Sequence, residues 1–524
     1  MKKRSSEPIE KRSCVDKLSG WKSVYVLSLL CAVTVITASA QTFTTLVSFI
    51  ESEGQSPVGS LVQGFDGNLY GVTVFGGQHT AGTVFRITPS GTLTRLYSFC
   101  SKTNCTDGRS PEGGLVLAPN GNFYGITAIG GADGSGTVFK ITPSGMLTTL
   151  YNFCSKTNCA DGANPDGLVR GTDGNLYGTT QVGGANNSSI CQNVGCGTVF
   201  KITLSGTLTT LHSFCSQTSC ADGAIPYAGV VQATNGNFYG TTRQGGGNKI
   251  CDAGAGCGTV FKITGAGTLT TLYSFCSQTN CDDGAFSTAG LVQATNGNLY
   301  GTTFLGGSNV CIQLYAPGCG TAFEITLTGA LSTLYRFCSQ TKCADGADPL
   351  AGMIQATDSN FYGTTSEGGN HGCNNANGCG TLFKITPSGT LTTLYKFCSQ
   401  SGPQPCMDGT HPVGGLVQAT NGKFYGGTYF GGSTTRGTLF SLAVGLGPFV
   451  KTLPASGKVG AAVIILGTNL TGAISVKFNG TAVGFIVASS TEIKTTVPAG
   501  ATTGKVTVTT PRGTLKSNIV FRVL

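Results

Sequence analysis

The sequence predicts an all-β fold: a seven-bladed β-propeller closed by its N-terminal strand, followed by an immunoglobulin-like β-sandwich. Three observations predict it. One eight-residue phrase recurs seven times at near-constant spacing, and each recurrence sits among four short β-type runs. The last repeat also lacks a strand that the start of the chain supplies. Composition agrees. With 81 glycines among 524 residues, 40% hydrophobic and 10% charged, the chain is too apolar for disorder and too glycine-rich for helices. The glycines do not fall at every third residue, which excludes a collagen helix.

The phrase begins at Asp66 (DGNLYGVT), Asn120, Asp173, Asn235, Asn296, Asp358 and Asn421, with starts 53 to 63 residues apart. In the first repeat Leu61-Val62-Gln63 leads to an Asp66-Gly67 turn and then Asn68-Leu69-Tyr70-Gly71-Val72-Thr73. The run Thr83-Val84-Phe85-Arg86-Ile87-Thr88, a Pro89-Ser90-Gly91 turn and residues 93–99 complete it. Runs of β-branched and aromatic residues bounded by such turns are a hairpin signature, and the four runs are strands A to D. The seventh repeat has A, B and C (Leu416-Val417-Gln418, residues 424–428 and 438–442) but no D. Thr45-Leu46-Val47-Ser48-Phe49 matches D and has no repeat before it, so it is expected to complete the seventh blade. An open solenoid would instead need a cap at each end.

Residues 1–40 read as an export signal. Lys2, Lys3, Arg4, Lys11, Arg12, Lys17 and Lys22 precede an apolar run over residues 24–36, and Ala38-Ser39-Ala40 forms a small-residue cleavage site before Gln41. An uncleaved anchor is the rival reading, but the run is short against the roughly 20 residues of a membrane span. Leu30 before Cys31 argues against a lipid anchor. The expected division is 1–40 signal peptide, 41–446 propeller and 447–524 sandwich, in an extracellular or cell-surface protein with no membrane span after cleavage.

Beyond the signal the cysteines form ten close pairs: 100/105, 154/159, 191/196, 215/220, 251/257, 276/281, 311/319, 338/343, 373/379 and 398/406. An exported chain meets oxidising conditions, so disulfides are expected, paired within each loop in preference to between loops. A metal site is not expected, because His79, His212, His371 and His411 are scattered. The net charge of +9 is concentrated in the signal and in the tail from Gly447, and nothing resembles a nucleic-acid reader.

GLVQATNGNLYGTT (residues 290–303) and GTVFKITPSG (residues 136–145) carry a resemblance to the GloVer tandem repeat of secreted, choice-of-anchor bacterial proteins, extending over residues 41–446. That resemblance implies export and implies no defined reaction. Gly467-Thr468-Asn469-Leu470 and Val506-Thr507-Val508-Thr509-Thr510-Pro511 make the tail similar to an IPT/TIG domain, an immunoglobulin-like sandwich. No sorting motif follows it, unlike the anchored members.

Propeller strands alternate in direction, so the long D–A and B–C loops, which hold all the cysteine pairs, are expected on one face. B–C pairs occur only in repeats three to six, which builds up one half of that face. The tyrosines and phenylalanines that recur in every repeat, such as Tyr70 and Phe85, read as packing between blades. Asp107, Asp161, Asp222, Asp283, Asp345 and Asp408 precede glycine and read as turns; a calcium cage has no matching spacing. The residue after strand B varies: Val74, Ala128, Gln181, Arg243, Phe304, Ser366, Tyr429. Gln181, Arg243, Phe304 and Tyr429, with Glu367, are therefore the candidate ligand contacts. Glu367 and His371 are close in sequence, but no third partner is visible, so no catalytic residue, metal or cofactor is assigned.

The expected function is a secreted, non-enzymatic binding or surface protein that recognises a polysaccharide or cell-surface partner through the disulfide-rich face. One alternative is an extracellular glycan hydrolase or lyase, whose mark would be carboxylates converging on the channel mouth with Glu367 among them. Another is a purely structural surface protein. Trp21, the only tryptophan, lies in the signal, which weakens a lectin reading without removing it, since Tyr and Phe also stack.

Overall fold

Each of the first six repeats folds into one four-stranded antiparallel sheet whose strands follow chain order. A computed structural model describes residues 41–307, 309, 318–373 and 377–524. The export segment expected over residues 1–40, and Cys311 of the 311/319 pair, lie outside the described residues. The first sheet comprises Gln55–Gln63, Leu69–Phe75, Thr83–Ile87 and Leu93–Ser98. Its A–B turn shows why Asp or Asn opens the repeated phrase. Asp66 accepts hydrogen bonds from the Asn68 backbone N–H at 3.2 Å and the Tyr70 hydroxyl at 2.9 Å, while Gly67 takes a φ of +77°. Glycine alone adopts that conformation without steric cost.

The seventh sheet is completed from the other end of the chain. Thr42–Ser48 pairs antiparallel with Thr438–Ala443, Thr42 opposite Ala443 and Ser48 opposite Thr438, beside Phe424–Thr428 and Val417–Gln418. The N-terminal strand expected to complete the seventh sheet therefore does so.

Packing passes from sheet to sheet and returns to its start. Phe99, after the last strand of sheet one, meets Phe139 of sheet two with ring centroids 5.2 Å apart. Equivalent contacts join Phe153 to Phe200, Phe214 to Phe261, Phe275 to Phe323, Phe337 to Phe383 and Phe397 to Phe440. Phe49, after the N-terminal strand, packs on Phe85 of sheet one at 5.3 Å and joins the seventh sheet to the first. The recurring tyrosines form a second layer, with Tyr70 stacked on Phe123 at 4.1 Å and Tyr177 on Phe238 at 3.9 Å. These rings are buried, and aromatic pairs of this geometry contribute about 0.5–1.5 kcal/mol beyond the area they bury.

Nine disulfides close within single loops. Pairing is intra-loop throughout the described residues, as expected. The D–A and B–C loops meet at the same strand ends: Gly131 N–H donates to the Cys105 carbonyl at 2.9 Å, and Gly246 N–H to that of Cys220 at 2.9 Å.

The C-terminal segment forms two four-stranded sheets around Val463, Ile465, Val476, Phe478, Val506 and Val508. It is seated against the A–B turns. Phe449 N–H donates to the Thr420 carbonyl at 3.0 Å, Lys451 Nζ to that of Gln418 at 2.6 Å, and Thr491 Oγ1 to that of Phe65 at 2.7 Å. Burial there lowers the Lys451 ammonium to about 8. The sandwich thus occupies the turn end of the strands and leaves the loop end free of itself. Among the described residues no helix is long and apolar enough to cross a membrane.

Candidate functional site

Three positions per repeat differ from sheet to sheet, and all three sit at the loop end. The first closes each D–A loop: Ser56, Ser110, Asn164, Ile225, Phe286, Asp348 and His411, each with φ between +51° and +57°. Left-handed backbone is unfavourable for any residue with a Cβ, and most of all for a β-branched or bulky one such as Ile225 or Phe286. The same strained turn is kept in all seven sheets while its side chain changes. Two residues further on stand Val58, Glu112, Asp166, Tyr227, Thr288, Leu350 and Val413. The third position follows strand B, and backbone bonds tie it to the first. Arg243 N–H donates to Ile225 at 3.0 Å, Phe304 to Phe286 at 3.1 Å, Ser366 to Asp348 at 3.0 Å and Tyr429 to His411 at 3.0 Å.

Glycine brings these positions together. A Cβ on Gly59 would lie 2.3 Å from the Gly113 carbonyl oxygen, one on Gly167 2.6 Å from Gly229 N, and one on Gly414 2.6 Å from Gly59 O. The backbones in and just before the first strands of neighbouring sheets touch, an approach that any side chain would block. Beside these glycines lies a cavity of about 760 Å³, walled by Val74, Glu112, Asp166, Tyr227, Arg243, Phe304, Met353 and Tyr429, among others. Every sheet contributes.

One wall is acidic. Burial pushes the Asp166 carboxyl up to about 7, aided by the nearby Glu112 charge and opposed by the Gln181 amide, whose Nε2 donates to Asp166 Oδ2 at 3.2 Å. Burial raises Glu112 as well. On another wall the Arg243 guanidinium carbon lies 5.2 Å from the Tyr227 ring centre and 5.8 Å from that of Phe286.

A smaller pocket of about 280 Å³ shares Phe304, Leu350, Val413 and Tyr429 with the large one and adds Asp348, Ser366, Glu367, His411 and Phe430. Asp348 is only 1% exposed. Burial and the adjoining Glu367 carboxyl, to which it is hydrogen-bonded, push Asp348 up to about 9. Burial lowers the His411 imidazole against the pull of Glu367.

In sequence, the Gloeobacter/Verrucomicrobia repeat matches residues 31–251 and 251–482, and an IPT/TIG domain matches residues 449–523. The chain belongs to the Gloeobacter/Verrucomicrobia repeat family. Within it, the seventh sheet ends at Ala443 and the first sandwich strand begins at Lys451, so the matched repeat runs past its last sheet. No curated protein matches the chain. Among solved structures it is similar to the extracellular domain of BT4673 from B. thetaiotaomicron, at 11% identity and a TM-score of 0.46, over 93% of this chain and 58% of that one. It is also similar to PorZ, a surface component of the type-IX secretion system of Porphyromonas gingivalis, at 15% identity and a TM-score of 0.45, over 91% and 60%. The chain therefore spans about 60% of the length of these two structures.

The five sequence-predicted contacts meet at this one end of the repeat array. Arg243, Phe304 and Tyr429 line the large cavity; Phe304, Glu367 and Tyr429 line the small one; Gln181 reaches the cavity through Asp166. Glu367 and His371 lie close in sequence, and His371 Nε2 lies 3.0 Å from the Lys342 carbonyl oxygen; the imidazole that lines the small pocket with Glu367 is His411, from the next repeat. Glu112, Asp166, Tyr227, Asp348 and His411 were missed. They occupy the other two variable columns, which aligning the repeats over the residues before strand A would have exposed.

The Asp-Gly aspartates do more than turn the chain. Asp107 is fully buried, and its Oδ2 accepts from the Tyr97 hydroxyl at 2.8 Å and from Ser101 N–H and Oγ, both at 2.9 Å. Four other loops repeat this pattern, one with His212 Nε2 in place of the tyrosine, 3.0 Å from Asp222, and in the last loop Asp408 takes the Tyr395 hydroxyl and Ser399 N–H while Ser399 Oγ donates to the Lys396 carbonyl. Neighbouring loops also meet through sulfur: the Sγ atoms of Cys251, Cys257, Cys276 and Cys281 all lie within 4.8 Å of one another. The loops at this end are thus stapled within themselves and packed against one another.

Proposed function

We propose that the seven sheets are the blades of a closed seven-bladed β-propeller, and that the protein is exported and binds a saccharide unit of an extracellular polymer in the cavity at the loop end. One observation carries the reading. Residues constant between repeats pack the sheets, whereas residues that differ converge from all seven sheets on one cavity of about 760 Å³. A volume in the range of small-molecule sites, with aromatic faces beside paired hydrogen-bonding groups, suits a sugar ring and its hydroxyls. The nine disulfides fit export, and they hold the rim in place before the ligand arrives, which lowers the entropy cost of binding. The sandwich, at the turn end, serves as a spacer or attachment module.

The test is a glycan array with the purified protein, repeated with Phe304→Ala/Tyr429→Ala. Selective binding by the parent that weakens about tenfold or more in the variant, as loss of two aromatic anchors predicts, supports the reading. Binding to no glycan counts against it and favours a protein partner or a structural role.

A second reading, a glycan hydrolase or lyase, has its own observation. Glu112, Asp166, Asp348 and Glu367 all line the two pockets, and Asp348, raised by burial and by Glu367, stands with the His411 imidazole in the smaller one, which suits general acid–base work. Release of new reducing ends or unsaturated sugars from a bound polymer, abolished in Glu367→Gln, would favour it over binding alone.

A further inference from the structure

The Arg243 guanidinium stands in the cavity without a counter-ion. Among the described residues it forms no ion pair, and no protein acceptor receives any of its N–H groups. Its Nε is buried with no hydrogen-bond partner. The other arginines tied across the rim are neutralised: Arg336 is bidentate on Asp282, and Arg436 Nη2 is 2.8 Å from Glu51. Arg243 is held instead by ring faces, 5.2 Å from the Tyr227 centroid and 5.8 Å from that of Phe286. The two rings leave the guanidinium N–H groups without an acceptor, and a guanidinium fork is the shape that matches a planar or tetrahedral oxyanion.

A buried donor without an acceptor costs free energy that a ligand can remove. We propose that Arg243 anchors the carboxylate or sulfate group of an acidic sugar, so that the ligand of the central cavity is a uronate-bearing or sulfate-bearing glycan. The proposal rests on the saccharide-binding reading above and narrows it. The rest of the cavity agrees. Phe304 and Tyr429 offer faces for the ring, and the Gln181–Asp166 pair offers partners for its hydroxyls. Glu112 and Asp166, the acids on the same cavity, are raised by burial, Asp166 to about 7. At and below neutral pH they therefore oppose an anion less than two free carboxylates would.

The test measures affinity of the purified protein for matched glycans: oligogalacturonate against its methyl ester, and a sulfated galactan oligosaccharide against its desulfated form. The acidic member of at least one pair should bind about tenfold or more tightly than its neutral partner, the size expected for a bidentate charge-assisted contact. Arg243→Gln should abolish that preference. Arg243→Lys, with its charge but no fork, should keep part of it and shows that loss in the first variant is not misfolding if both melt near the parent temperature. Whether the carboxylate or the sulfate pair responds identifies the oxyanion. Neutral members that bind as well as acidic ones, or a preference unchanged in Arg243→Gln, overturn the inference and leave the saccharide reading intact. No binding to any of the four, with none on the wider array, removes the saccharide reading itself and the inference with it.

Discussion

Asp166 shows how one residue's surroundings reach a measurable property. Its carboxyl titrates near 3.8 in an unfolded chain and at about 7 in the folded one, because burial disfavours its charge. Between those values the unfolded chain binds fewer protons than the folded one, so stability falls as pH rises from about 4 to about 7 and then levels off. Asp348, raised to about 9, extends the decline by the same sign. Chemical denaturation at pH 5, 7 and 9 should give a falling midpoint. Asp166→Asn should flatten the portion below pH 7, and Asp348→Asn the portion up to pH 9; slopes identical to the parent's would count against these assignments. Asp222, held low by His212 and Ser216, acts in the opposite sense, so the comparison is between variants and not against zero slope. Arg243, Phe304 and Tyr429 were legible in the sequence because they vary inside a fixed phrase. Asp348 and His411 were not, because what aims them is a left-handed φ, a property that Ser, Asn, Ile, Phe, Asp and His do not advertise as glycine does.

At the scale of elements, the D–A loop is the unit to break. Asp283 is fully buried, and its carboxylate takes the Tyr273 hydroxyl at 2.8 Å, Ser277 N–H at 2.9 Å and Ser277 Oγ at 2.9 Å. Asp283→Asn turns part of that acceptor into a donor facing donors, and should cost about 2 kcal/mol or more in urea unfolding. The adjacent Asp282 pairs with Arg336 at a partly exposed site, so Asp282→Asn should cost no more than about 1 kcal/mol. Equal losses would mean that the buried carboxylate does not organise the loop. Strands B, C and D were legible from their period and turns. The unequal first strands were not. Gln55–Gln63 and Arg109–Leu117 run nine residues, yet their counterparts Val231–Gln232 and Val292–Gln293 run two. In the later sheets isolated bridges such as Ala224 to Gln244 replace continuous pairing, and that depends on tertiary contacts at the rim rather than on the strand's own residues.

For the whole molecule, the decisive feature is that the last sheet is finished by the first strand. Were Thr42–Ser48 absent, Thr438–Ala443 would become an open edge, and the Phe49–Phe85 contact between the seventh and first sheets would vanish. A stack of repeats closed only by neighbours would lose little from a missing terminal strand, because each repeat would keep its own interfaces. A closed arrangement loses a strand pairing and an interface at once, and exposes an edge prone to aggregation. Deleting residues 41–49 should therefore lower the melting temperature by several degrees or more, since even about 1 kcal/mol moves it by roughly 2–4 °C in a domain of 150–250 residues. A synthetic peptide of residues 41–50 should restore it in trans, and the same peptide carrying Phe49→Ala should restore it less. Deleting the sandwich from residue 447 tests the opposite end: it removes the contacts on Phe65, Gln418 and Thr420 but none at the cavity, so glycan affinity should stay within about twofold while stability drops. An N-terminal deletion that leaves melting unchanged would show that the seven sheets do not depend on closure.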